Sequence, residues 1–306
     1  MVEDGERDGA AGPAVEPMHL VQTVAGCGRT GGNDGPAKRA CFSSPHNCLP
    51  LPDGSLLVAD HLNNALRRVH SAGGRVVVET VGQKTSWLRP KGLALLPDGD
   101  VLVCDSGHNR LRRLSFPDGQ VSTFAGNGKK GHRDGIAEKA TFDAPCDVFV
   151  CTDGTVLVTD GGNRCLRTIS AASGRLVVAT LEVPAAGQDG SSAFVQPTSA
   201  VAVGGADSII YVADAGCHAV FALSRRAADG AGGAHDHPMD GAYTATVVAG
   251  CSGRAGLKDG ALATSMLAAP AGLALSPDGR LLVSDAQNNC VRRVCFSSRK
   301  IGRAHV

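Results

Sequence analysis

The sequence predicts an all-β protein, a β-propeller of four-stranded antiparallel blades, and three observations carry that prediction. A turn marker recurs: Pro-Asp-Gly at Asp53, Asp98 and Asp278, Thr-Asp-Gly at Asp153 and a weaker Ala-Asp-Ser at Asp207. Seven residues after each of these carboxylates stands another, at Asp60, Asp105, Asp160, Asp214 and Asp285. A proline precedes each marker, at Pro45, Pro90, Pro145, Pro197 and Pro270. Tandem units of this size, each with several short apolar runs, are the mark of sheets that hide their faces by packing on neighbouring sheets.

Each unit resolves into four strands. Strand a follows the proline, as in Gly92-Leu93-Ala94-Leu95, and strand b is the run between the two carboxylates, such as Val101-Leu102-Val103. These runs are too short for helices and are rich in strand-forming residues. Strand c reads Leu66-Arg67-Arg68-Val69, Leu111-Arg112-Arg113-Leu114, Leu166-Arg167-Thr168-Ile169 and Val291-Arg292-Arg293-Val294, and strand d includes Val121-Ser122-Thr123-Phe124. Three residues before each proline is a large apolar side chain, Phe42, Trp87, Phe142, Phe194 or Leu267, which is expected to plug a junction between blades. The carboxylate that ends strand b and the Asn four residues later (Asn64, Asn109, Asn289) are expected to shape the b–c turn. The strand-c arginines are expected to pair with a carboxylate or a backbone carbonyl.

Composition fits this plan. Of 306 residues 43% are apolar but only 4% aromatic, so the core must be mostly aliphatic, and 40 glycines are spread through the turns. A net charge of +1 gives no overall pull toward nucleic acid or membrane. Eleven cysteines, with no C-x-x-C pair, read as thiols of a reducing, cytoplasmic compartment rather than a disulfide framework. No basic-then-apolar leader and no membrane-length apolar run is present. The expected organisation is an acidic, Gly-rich tail over residues 1–17, a propeller over 18–298 and a non-native-looking tail over 299–306. Residues 301–306 look like a translated sequencing adapter, so the natural chain is expected to continue as a longer protein of which this is a monomeric domain. The segment 20–25 matches strand d and is expected to complete the last sheet.

The run from Pro90 to Leu114, and that from Pro270 to Val294, resembles the NHL repeat: Pro-x-Gly, an apolar strand, Asp-Gly, a second strand ending in Asp, then Asn and Arg-Arg. The copies at Pro45 and Pro197 depart from it at Asn47 and at Phe221-Ala222. The resemblance implies a propeller and a binding platform rather than a fixed chemistry. Because that family usually closes with six blades, it leaves open that the five visible ones belong to a truncated six-bladed ring.

Function is expected where the repeats differ. At the start of the inner strands, His46, Asn47, Lys91, Asp147 and Ser199 are the polar candidates for a channel mouth. The long d–a loops offer a basic surface through Arg29, Lys38, Arg39, Lys129, Lys130, Arg133, Arg254 and Lys258. With Lys139, nine basic residues face five acidic ones there, a net of +4. These features predict a non-catalytic scaffold for a protein partner, with RNA as the second class, no catalytic residue, no metal site and no cofactor. The glycine runs at Gly26 and Gly126 match a dinucleotide fingerprint but lack its βαβ context, so they are expected to be loops. The insertion 224–241 carries His235-Asp236-His237 and is expected to be a surface loop. The alternative is a propeller enzyme with a metal at the channel mouth, resembling amidating lyases or gluconolactonases.

Overall fold

The computed structural model describes residues 22–82, 86–116, 118–172, 174–184, 193–203, 209–226, 242–261, 264–276 and 278–296. These residues form a five-blade β-propeller of antiparallel sheets. Blade 1 contains β1 (Gly35–Pro36), β2 (Pro45–Pro50), β3 (Leu56–Asp60), β4 (Ala65–Ala72) and β5 (Arg75–Val81). Blade 2 contains β6 (Pro90–Leu95), β7 (Val101–Asp105), β8 (Arg110–Leu114) and β9 (Val121–Ala125). Blade 3 contains β10 (Gly135–Ile136), β11 (Pro145–Val150), β12 (Val156–Asp160), β13 (Cys165–Ala172) and β14 (Arg175–Thr180). Blade 4 contains β15 (Pro197–Val203), β16 (Ile209–Asp214), β17 (Ala219–Arg225) and β18 (Tyr243–Gly250). Blade 5 contains β19 (Pro270–Leu275), β20 (Leu281–Asp285) and β21 (Cys290–Val294).

Every inner strand begins at one of the five prolines, as the spacing predicts. Two-residue strands β1 and β10 cap the outer edges of blades 1 and 3, so those sheets have five strands. They come from the glycine-bearing loops, which confirms loops where the dinucleotide pattern stood. Blade 5 has three strands among the described residues. Of the expected completing segment 20–25, residues 22–25 carry no strand assignment and residues 20–21 lie outside the described residues. The tails 1–17 and 299–306 and the His235-Asp236-His237 insertion also lie outside them.

The core sits between blades. Trp87 packs with Leu57, Leu66 and Leu93 at the first junction, and Phe142 with Leu102, Leu111 and Val158 at the second. Phe194 meets Phe221 edge-on, 5.8 Å between ring centres, at the third junction. Leu267 joins Tyr211 and Val283 at the fourth. These four plugs are buried as predicted, while Phe42, which leads into blade 1, is only half-buried. Inner strands pack successively, β2 on β6, β6 on β11, β11 on β15 and β15 on β19. Among the described residues β19 and β2 do not form a fifth such junction, and β2 is largely exposed.

The repeated carboxylate of strand b is the anchor of each blade. Asp60, Asp105, Asp160, Asp214 and Asp285 are all fully buried. In blade 3, Asp160 accepts the Asp143 N–H at 2.8 Å, Asn163 Nδ2 at 2.7 Å and Arg167 Nη1 at 2.9 Å. Arg167 also bonds Asp134 of the d–a loop and lies 5.1 Å from the Phe142 ring centre. Blade 1 repeats this with Asp60, Arg67, Asp34 and Phe42, and blade 5 with Asp285, Arg292 and Asp259. Burial is the largest influence on Asp160 and holds its carboxyl above the ordinary value, against the bonds from Asn163, Asp143 and Arg167. In blade 4, where Phe221 replaces the arginine, Asp214 takes three backbone N–H groups, from Val195, Gln196 and Cys217.

One thiol expectation is corrected. Cys27 and Cys41 are joined as a disulfide, their Cα atoms 5.4 Å apart, because the first d–a loop folds back on itself. The remaining nine cysteines are free.

Arg167→Ala strands a buried carboxylate, so it is expected to cost about 3–5 kcal/mol in urea denaturation. Arg280→Ala, which breaks the half-exposed pair with Asp278, is expected to cost less than about 1 kcal/mol. Equal costs would contradict the anchoring role.

Candidate functional site

One face of the propeller gathers the b–c turns, the d–a loops and the first residues of the inner strands. The join is visible in three blades. Asn63 Nδ2 donates to Gly31 O at 2.7 Å, Asn163 Nδ2 to Gly131 O at 2.8 Å and Asn288 Nδ2 to Gly256 O at 2.8 Å. Each same amide also bonds the strand-b carboxylate of its own blade. The long loops are thus clamped beside the channel mouth. Sequence reasoning missed these asparagines, although their place three residues after the carboxylate is a legible signal.

The eight predicted basic loop residues Arg29, Lys38, Arg39, Lys129, Lys130, Arg133, Arg254 and Lys258 are all exposed. Among the described residues, only Lys130 of these has a carboxylate partner, Asp143 at 3.1 Å. The loop carboxylates Asp34, Asp134 and Asp259 pair with Arg67, Arg167 and Arg292 while keeping exposed faces, Asp259 almost fully so. The outer surface of the loops therefore keeps its positive side chains while three of its acids are neutralised by strand-c arginines.

The five channel-mouth candidates fall into two groups. Ser199 Oγ donates to Asp147 Oδ2 at 2.6 Å and accepts the Leu273 N–H at 3.1 Å, which links blades 3, 4 and 5. Neighbouring groups do the same work on proline carbonyls. Ser106 Oγ donates to Pro145 O, Cys146 Sγ contacts Pro197 O at 3.5 Å and Thr198 Oγ1 donates to Pro270 O at 2.9 Å. Asp147 and Ser199 are therefore blade-to-blade connectors. His46, Asn47 and Lys91 remain, on blades 1 and 2. The His46 ring lies 5.8 Å from that of His61, and His61 Nδ1 is 3.4 Å from Pro90 O.

Environment sets the charge of these groups. Burial lifts the Asp147 carboxyl to about 6, against bonds from Ser199 and two backbone N–H groups. His46 keeps an exposed face, yet protein crowding around its ring, then the charges of Lys91 and His61, bring it down to about 4. His61 is lowered by burial and then by Lys91. Burial pushes the Cys146 thiol up to about 12, which makes it a poor nucleophile at neutral pH. No three His, Cys, Asp or Glu side chains converge among the described residues.

Segments 88–114 and 267–294 match the family model "NHL repeat". This chain carries NHL repeats. The two matched NHL segments are the copies whose sequence keeps the full pattern, and the copies at Pro45 and Pro197 lie outside the match. No curated protein matches the sequence. A catalytically inactive virginiamycin B lyase from Staphylococcus aureus, solved with quinupristin, is similar at 14% identity over 83% of this chain and 68% of that one, with a TM-score of 0.52. A gluconolactonase from Xanthomonas campestris is similar at 15% identity over 80% and 71%, TM-score 0.52. An auxiliary nutrient binding protein from Bacteroides thetaiotaomicron is similar at 12% identity over 90% and 76%, TM-score 0.52. At such identities the likeness shows the propeller fold. No helix among the described residues is long and apolar enough to cross a membrane.

The pH response follows from two shifts of opposite sign. Asp147, raised from 3.8 to about 6, holds more proton when folded, so its contribution to stability is present at low pH and lost as pH rises through about 6. His46, lowered from 6.5 to about 4, holds less, so its contribution is present above 6.5 and lost as pH falls toward 4. Asp147→Asn is expected to make stability rise more steeply with pH between 4 and 6, and His46→Asn to make it rise less. Denaturation series across that range check both directions.

Proposed function

We propose that this NHL propeller is a non-catalytic interaction scaffold that binds an acidic segment of a protein partner across its loop face. The observation that supports this is the division of labour at that face. Groups able to do acid–base or nucleophilic chemistry, Asp147, Ser199, Thr198 and Cys146, are engaged between blades. The basic side chains of the loops point outward, and of the eight only Lys130 has a carboxylate partner among the described residues. Lys91 continues the cationic character toward the channel, beside a His46 ring held neutral by its surroundings. A surface of one sign steers and orients a partner of the opposite sign.

RNA would also answer to positive charge, but recognition of single strands needs aromatic platforms for the bases. The aromatic rings of this region, Phe42 and Phe142, lie against Arg67 and Arg167 instead. The lyase and gluconolactonase neighbours show that this architecture can host enzymes, and their activities remain their own.

The test is titration calorimetry with a Glu/Asp-rich peptide and with single-stranded RNA of similar charge. The peptide is expected to bind, more weakly at high salt, and a triple variant with Arg29, Lys129 and Lys130 changed to Glu is expected to weaken it by about tenfold or more. Tighter binding of the RNA, or an unchanged affinity in the triple variant, would overturn the reading.

A further inference from the structure

Blade 2 repeats the arginine arrangement of blades 1 and 3 but lacks one of its partners. In blades 1 and 3 the strand-c arginine serves two carboxylates. Its Nη1 bonds the buried strand-b Asp and a backbone carbonyl, Cys41 O at 3.2 Å or Thr141 O at 3.1 Å. Its Nε donates to the loop carboxylate, Arg67 to Asp34 and Arg167 to Asp134, each at 3.1 Å. A strand-d threonine completes the grip. Thr80 and Thr180 pair in register with Arg67 and Arg167, and each donates its hydroxyl to the same loop Asp at 3.0 Å.

In blade 2, Arg112 Nη1 keeps both of its bonds, to Asp105 at 3.3 Å and to Ser86 O at 3.1 Å. Its guanidinium lies 5.1 Å from the Trp87 ring centre, as those of Arg67 and Arg167 lie against Phe42 and Phe142. Thr123 pairs with it in register. The loop carboxylate has no counterpart, because the connection Gly82-Gln83-Lys84-Thr85-Ser86 contains neither Asp nor Glu. Arg112 Nε is buried and has no hydrogen-bond acceptor among the described residues. Thr123 is exposed, whereas Thr80 and Thr180 are half-buried.

Charge adds to the mismatch. Arg110 brings a second guanidinium, its Nε 3.6 Å from Asp105 Oδ2 and likewise buried without a hydrogen bond among the described residues. His108 Nδ1 meets the same carboxylate at 2.9 Å. Two guanidiniums thus share one acid here, where in blades 1 and 3 one guanidinium is shared by two acids. Burial, and then the charge of Arg110, holds the Arg112 guanidinium below its ordinary value. A buried cationic N–H without an acceptor is costly, and an anion that meets it gains a charge-assisted bond.

We propose that blade 2 carries a carboxylate-binding socket, in which an external carboxylate takes the place that Asp34 and Asp134 fill in blades 1 and 3. Arg112 Nε and the Thr123 hydroxyl hold it, with Arg110 alongside. The ligand group is a carboxylate because an Asp side chain occupies the same donors twice in this chain. It comes from a small organic acid or from an Asp or Glu of the acidic segment proposed above, and only the second source rests on that reading.

Nuclear magnetic resonance of the full chain tests the socket, with the Thr123 amide and the Arg112 Nε–H as reporters and the Thr180 amide and Arg167 Nε–H as internal controls. Sodium acetate is expected to shift the blade 2 signals saturably, and sodium chloride at the same ionic strength to leave them in place. The blade 3 signals are expected to stay still in both, since Asp134 already occupies that socket. Thr123→Val, a change at an exposed position that leaves Asp105 and its donors alone, is expected to weaken acetate binding by about tenfold. Arg112→Lys, which keeps a charge beside Asp105 but has no Nε–H, is expected to abolish the saturable shift at Thr123. Absence of a saturable shift, the same shift with chloride, or an unchanged acetate affinity in Thr123→Val and Arg112→Lys overturns the proposal. A Glu/Asp-rich peptide separates the two sources. Movement of the same two signals at lower carboxylate concentration than acetate requires assigns the socket to the partner segment, and movement by acetate alone assigns it to a small acid. Acetate binding beside a peptide that binds nowhere leaves the socket standing and overturns the partner reading.

Discussion

The buried carboxylate at the end of strand b is the constraint on which each blade depends. A charged group without water must be met by several donors, and each blade meets it locally. In blades 1, 3 and 5 the donors are the backbone N–H two residues before the proline, the Asn of the b–c turn and the strand-c arginine. These donors come from three separate stretches of chain, so one side chain fixes where the inner strand starts, how the turn closes and where the long loop lies. Blade 4 shows that the requirement is for donors and not for arginine, since three backbone groups replace the missing guanidinium at Asp214. Phe221 is then free to pack against Phe194.

Much of this was legible in the residues themselves. The five prolines, the two carboxylates seven apart and the plug residue three before each proline mark strand starts, strand ends and blade junctions, because each reports a position that repeats in space as it does in sequence. What was not legible is which copy of a polar residue is engaged. Ser199 and Asp147 looked like ligand-facing groups because they vary between blades. The structure bonds them to each other and to Leu273, a pairing across some fifty residues that no local pattern reveals. The Cys27–Cys41 bond was likewise hidden, since its partner positions are filled in blade 3 by Asn127 and Thr141, which hold the loop by hydrogen bonds.

The site follows the same division. Exposed loop charges could be read from composition, because solvated side chains need no partner to be placed. The charge state of His46 could not, because it depends first on how the fold buries the ring and then on Lys91 and His61 arriving from other segments. A face three of whose acids are neutralised by strand-c arginines is more basic than its residue count suggests, a property of the fold and not of the loops alone.

The chain of contacts from each b–c turn to the next blade's proline region has a consequence for biosynthesis. Blades 1, 2 and 4 present their acceptors, Asn64, Asn109 and His218, before the segments that will occupy them have been made. A ribosome releasing this polypeptide therefore delivers blades 2, 3 and 5 to docking places already waiting, and assembly can proceed in the order of translation, one neighbour at a time.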